Sequence, residues 1–264
     1  MLIDVHTHIY PEKISHKVVN FLQHHYGLPV PYQGIPAELR QIKKRYQVNA
    51  AVFFTAATHP SQVRNANLWA KLNYSHGMIG FGTLHPDDPQ IDSEIKWLKT
   101  MGIKGIKFHP DFQRFFIDDV KALYMYEKIA KDFIVIFHVG DDNAPRKIRY
   151  STPRRLSKVL ELFPGMKVIA AHMGGYQMWQ DSIRYLCGKN LYFDTSSTAG
   201  ILPDDTFKFI IREHGYDRIL LGSDYPFSDP YGEYQKLAQM GLTGQELSAI
   251  AGSNAAKLFK DIGL

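Results

Sequence analysis

Short apolar runs, each ending on a histidine or an aspartate, recur along this chain and limit what it can fold into. The first is LIDVHTH; FIVIFHVG, KVIAAHMGG and RILLGSDYP follow. They are rich in β-branched residues and do not alternate with polar ones, which suits strands buried on both faces. Side chains on a strand repeat every two residues, so Asp4, His6 and His8 are expected to share one face. His138, His172 and Asp224 end the later runs. Polar residues collected at strand ends point to the C-terminal rim of a barrel.

Eight such strands can be laid along the sequence, at 2–8, 48–56, 78–84, 103–109, 133–139, 167–171, 191–195 and 218–221. Helical spacing falls between them, at 14–25, 37–46, 65–74, 92–101, 118–131, 153–163, around Trp179 to Leu186, and at 203–213. Two further helical stretches lie near 231–240 and 243–259. The expected architecture is α/β, a closed (β/α)8 TIM barrel filling residues 1–264 as a single domain. An open doubly-wound sheet is the rival, but it would not gather residues from strands one, five, six and eight around one point. The segment Gly27 to Pro36, with two Gly and three Pro, is expected to be a loop beside the site, either a lid or a plain connector.

The net charge is +5, from 31 basic and 26 acidic side chains spread along the chain. No basic tract is interleaved with aromatics, so a nucleic-acid partner is not expected. Cys187 is the single cysteine, which excludes an intrachain disulfide and suits a reducing compartment. It reads as a packing residue. Met1 leads directly into the first strand, and no apolar run is long enough to span a bilayer. A cytoplasmic location with no membrane partner is expected.

A His-x-His pair at a strand end can hold one metal ion from one side. His6, His8, His138, His172 and Asp224 make up a set of borderline-soft nitrogen and oxygen donors, for which zinc is the metal expected first. Such an ion lowers the pKa of water and polarises carbonyl or carboxylate oxygens. Lys107 and His109 share a face by the same two-residue arithmetic, close enough to the rim to belong to the site. Arg146 and Arg149 lie in the charged loop after strand five, and an arginine can clamp a substrate carboxylate. Tyr176 and Asp194 complete the substrate-binding candidates.

IDVHTH, GIKFHP, FHVG, AAHMGG, LYFDTS and LLGSDYP together resemble the amidohydrolase superfamily. They are most similar to its amidohydrolase-related branch, which contains aminocarboxymuconate-semialdehyde decarboxylase and related decarboxylases, hydratases and lactonases. GQELSAIAGSNAAKLF resembles the terminal helix of that branch. The resemblance implies a distorted TIM barrel with a divalent metal on His6, His8, His138 and Asp224. It also implies acid/base duty for His172, with Asp224 accepting a proton as a second catalytic group. A second metal, held with the help of Lys107 or His109, stays open, since binuclear members use a carboxylated lysine. The chain is shorter than the better-known decarboxylases, which favours a small substrate or a pocket completed by a second copy in a homodimer. The expected activity is hydrolysis of a small carboxylate-bearing amide, ester or lactone. The alternative is non-oxidative decarboxylation of a small carboxylic acid.

Overall fold

The computed structural model describes residues 1–54, 56–143 and 147–260. Among them, eight strands and twelve α-helices follow one another along the chain. β1 (Ile3–His8), β2 (Ala50–Phe54) and β3 (Met78–Gly80) form one parallel sheet. β4 (Gly105–Phe108), β5 (Ile134–Phe137), β6 (Lys167–Ala170), β7 (Tyr192–Asp194) and β8 (Ile219–Leu220) form a second parallel sheet in sequential order. Backbone hydrogen bonds join the two at both seams. Gly82 N donates to Gly105 O at 2.9 Å, and Lys107 N donates to Gly82 O at 2.8 Å. At the other seam Val5 N donates to Leu221 O, and Asp224 N to His6 O, both at 2.9 Å. The strand array therefore closes into the (β/α)8 barrel expected from the sequence.

The side chains of the strands serve two cores. Ala51, Phe53, Val135, Phe137, Val168 and Ala170 pack outward into the large core under the helices. Ile3, Val5, Ala50, Val52, Phe54, Ile134, Ile136 and Ile169 fill a smaller core that includes Phe259. This period of two is what a strand covered on both faces produces.

Helices α1 (Glu12–Tyr26), α2 (Pro36–Arg45), α3 (Val63–Asn73) and α4 (Ile91–Thr100) connect the first four strands. α5 (Pro110–Gln113) is a single turn directly after β4. α6 (Val120–Ile129), α7 (Pro153–Leu162), α8 (Trp179–Tyr185) and α9 (Asp204–His214) complete the outer ring. α10 (Pro230–Gln239) follows β8. The final stretch, expected as one helix, is α11 (Gly244–Ser248), a π turn at Ala249–Ser253, and α12 (Asn254–Leu258). That break has a use: the Ile250 carbonyl accepts from Leu221 N at 2.9 Å, and Asn254 Nδ2 donates to Ile219 O at 2.8 Å. The tail is thereby bonded to the strand that carries Asp224. No helix among the described residues is long and apolar enough to cross a membrane.

One expectation fails in the first strand. Asp4 aligns with Ala51 and His8 with Phe54, and the register slips between Asp4 and Thr7. Ala51 and Phe54 are three apart on β2, so Asp4 and His8 lie on opposite faces. A bulge of this kind re-aims side chains. Here it turns His6 and His8 into the barrel mouth and leaves Asp4 fully buried, with Ser223 donating to it.

Candidate active site

His6 and His8 stand at the end of β1, with ring centroids 5.3 Å apart. Asp224 reaches them from the turn after β8. Its Oδ1 is 3.4 Å from His6 Nε2 and 3.4 Å from His8 Nε2. Ligands about 2.1 Å from a tetrahedral ion are separated by roughly 3.4 Å along the polyhedron edge, so this donor set fits a divalent cation. All three ligand atoms lie within 4.8 Å of one another. The charges on these groups are set by their surroundings. Burial lowers the His6 imidazole to about 4, and nearby Lys107 pushes the same way, so the ring is a neutral donor. Burial also lowers His8. For Asp224, burial alone would raise the carboxyl, but His8, His6 and His172 hold it well below its ordinary range. Ser197 donates to its second oxygen.

Behind these residues runs a chain of imidazoles. His6 Nδ1 lies 2.8 Å from Asp194 Oδ2. His172 Nδ1 lies 3.0 Å from Ser196 O, and His172 Nε2 lies 3.1 Å from His138 Nδ1. With His172 donating to Ser196, its Nε2 accepts from His138 Nδ1, which leaves His138 Nε2 as a free lone pair. His138 therefore sits one ring away from the His6–His8–Asp224 group. Its ligand atom groups within 4.8 Å of donors on His109 and Asp111, and its ring stacks on that of His109 at 3.9 Å. His172 and Asp224 both have left-handed backbone, at φ 61° and 58°. Such conformations cost of order 1–3 kcal/mol and cluster at functional sites.

Lys107 is fully buried in the barrel mouth. Its Nζ is 3.2 Å from His6 Nε2 and 4.5 Å from the centre of the Phe54 ring. Burial lowers its ammonium to about 8, against the opposing pull of Asp194 and Asp224.

The substrate-binding candidates separate. Tyr176 lines the cavity at the barrel mouth, and its hydroxyl donates to Asn143 Oδ1 at 2.9 Å. Asp194 is fully buried and does not line that cavity. It accepts from His6, from His172 N at 3.1 Å and from Ser196 N at 3.1 Å, so its oxygens face the two histidines. Arg149 is tied to Asp141 and lines a shallower neighbouring groove. Arg146 lies outside the described residues.

The cavity measures about 660 Å³. Its floor carries His6, His8, Lys107, His138, His172 and Asp224, and its walls are largely apolar. Leu28 brings the Gly27–Pro36 loop into that wall, and Phe112 brings α5. Sequence reasoning missed Trp69 and Phe227, which also line it, because nothing local distinguishes them from ordinary packing residues. Ser196 and Ser197 carried a signal in the polar run after Asp194, but only the fold shows them bonding to His172 and Asp224.

The comparisons with known proteins agree with this architecture. The amidohydrolase family profile matches residues 3–260. A TIM-barrel protein of Bordetella bronchiseptica, described as uncharacterized, is similar at a TM-score of 0.76 and 17% identity, covering 100% of this chain and 99% of that one. A 5-carboxyvanillate decarboxylase from Sphingomonas paucimobilis is similar at 0.71 and 15%, covering 98% of each chain. A dihydroxybenzoic acid decarboxylase from Polaromonas, with bound manganese and the inhibitor 2-nitroresorcinol, is similar at 0.73 and 16%, covering 98% of this chain and 96% of that one. No curated protein matches the sequence.

Proposed function

This chain belongs to the amidohydrolase family, and from that membership we propose that it is a metal-dependent, non-oxidative decarboxylase of a small carboxylic acid. The observation that carries the reading is the make-up of one cavity: a divalent-cation donor set, a buried lysine and a hydrogen-bonded histidine on the floor, under apolar walls. The decarboxylases among the structural relatives act on aromatic acids and support this choice over hydrolysis. Manganese in one of them makes it a candidate beside zinc.

A divalent ion held by His6, His8 and Asp224, with His138 as a further ligand, would supply a positive anchor for substrate oxygens. The protein's own groups do the rest. Apolar walls hold the ring or chain of the acid and exclude water, which strengthens every charge interaction on the floor. Lys107 adds donors for an oxygen of the acid. As the bond to the carboxylate breaks, carbon dioxide leaves and the electron pair stays on carbon. His172, on the floor of the same cavity, serves as the acid that protonates that carbon. Asp194, through Ser196 and the His172 backbone, keeps that ring in place.

Hydrolysis of an amide, ester or lactone is the second reading, favoured by the same donor set. Metal-loaded protein supplied with hydroxylated benzoates should release carbon dioxide in step with loss of acid. Cleavage of amide, ester or lactone panels with no carbon dioxide from any acid would overturn the proposal in favour of hydrolysis.

A further inference from the structure

α1 has an apolar stripe that the core does not use. Ile14, Val18, Phe21 and Leu22 recur at helical spacing, yet of the helix's side chains only Ser15 and Leu22 are buried. Ile14 is 40% and Phe21 57% exposed. A stripe like this normally turns into the core of the domain. Here all four residues line the cavity, as do Trp69 of α3, Phe112 and Phe227. The helix is fixed at both ends by polar contacts instead. Ser15 Oγ donates to Gln33 O, and His25 Nε2 lies 2.9 Å from Asp142 Oδ2. Asn143 Nδ2 donates to Tyr26 O at 3.2 Å. The apolar face is thus held in position over an open volume that is continuous with the histidine floor.

That volume, about 660 Å³, falls in the range of roughly 300–1,000 Å³ typical for drug-sized ligands. It exceeds what one carboxylated ring needs. We infer that the α1 stripe, with Trp69, is the specificity surface for an apolar substituent, so that the substrate is an acid carrying an alkyl or aryl tail beyond its carboxylated ring. The inference rests on the acid-binding reading of the floor. The tail completes the burial that α1 lacks in the protein alone.

The test uses metal-loaded protein titrated calorimetrically with benzoate and its 4-alkyl derivatives from methyl to butyl. The matching 4-alkylbenzyl alcohols, which lack the carboxylate, form the second series. Burial of a methylene strengthens binding about fourfold, so the affinity of the acids should climb by that factor per carbon until the chamber fills. Ile14→Asn and Val18→Asn, at positions outside the core, should flatten the climb, so that their loss of affinity against wild type grows with each added carbon. Alcohols should show the same climb at lower affinity. Benzoate binding with a flat or falling series would overturn the inference. Equal affinities for acids and alcohols, with the climb intact, would remove the acid-binding reading and keep the chamber. Binding of neither series would overturn both.

Discussion

His6 Nδ1 donates to Asp194 Oδ2 at 2.8 Å, and this contact decides which nitrogen of His6 faces the cavity. With Nδ1 carrying the proton, Nε2 keeps its lone pair on the cavity side, where Lys107 Nζ lies 3.2 Å and Asp224 Oδ1 3.4 Å away. Burial opposes a charge on Asp194, yet His6 and His172 hold its carboxyl well below the usual range, so it stays an acceptor. A carboxylate behind a histidine fixes both tautomer and ring angle.

Removing that carboxylate should therefore act through the metal. Asp194→Ala is expected to weaken divalent-ion affinity by about 10–100-fold, the usual scale for losing a group that orients a ligand. Asp194→Asn, which keeps an acceptor oxygen, should lose less. Competition with a chromophoric chelator measures both. Equal affinity in wild type and Asp194→Ala would show that His6 needs no such support.

Holding the metal and using it should come apart at His172. This ring is hydrogen-bonded to Ser196 and His138 and is not one of the three clustered donors. His172→Asn should keep most of its metal, while turnover falls roughly 10²–10⁴-fold, the scale of lost acid/base assistance. His6→Ala should lose metal. Asp224→Ala should lose turnover even where excess metal restores occupancy. Metal content and rate must be read on the same preparations. Metal loss from His172→Asn as severe as from His6→Ala would make His172 a ligand.

A histidine that does not line the cavity should govern acid stability. His214 is buried, its Nε2 donates to Leu191 O at 2.9 Å, and its Nδ1 accepts from Gly188 N at 3.2 Å. Burial, then Arg218, lowers this imidazole to about 4. Protonating Nδ1 would set two N–H groups against each other. The folded state therefore binds fewer protons than the unfolded state between about pH 6.5 and 4. Stability from this residue is complete above about pH 6.5 and is lost as pH falls through about 4, up to ~3 kcal/mol in all. His214→Gln should be less stable at pH 7 but lose less between pH 7 and 4.5 in denaturant titrations. Parallel losses in the two proteins would assign acid sensitivity elsewhere.

Much of the barrel was legible because burial on both faces leaves a signal in each strand: IVIF and KVIA admit few other readings. The floor residues were legible for a related reason, since each polar side chain ends an apolar run. Asp194 was visible by position but not by direction. Strand period says which face a residue takes, whereas only the barrel's closure reveals that His6 stands between Asp194 and the cavity. Asp4 misled because a bulge shifts the period by one, and no residue between Asp4 and Thr7 announces it. The α1 stripe shows in the sequence only as helical spacing, because periodicity reports an apolar face and not what that face covers.

Metal stoichiometry is the measurement that bears on most residues together. A two-ion centre of the kind built on a carboxylated lysine needs an anionic bridge. Lys107 instead has its amine 3.2 Å from His6 Nε2, in a fully buried position that lowers its ammonium to about 8. Its amino group, unmodified, supplies hydrogen-bond donors and no negative charge, whereas a carboxylated Lys107 would supply the bridge. The remaining donors, on His109, Asp111 and His138, include two stacked rings 3.9 Å apart at 10°, so their lone pairs lie in separate, nearly parallel planes. Elemental analysis of protein grown with both zinc and manganese should accordingly give about one divalent ion per chain. Lys107→Met should keep that ratio, and removing the ion with a chelator should abolish turnover until metal is restored. A reproducible ratio near two, falling to one in Lys107→Met, would make Lys107 the bridge and turn His109 or His172 into a ligand.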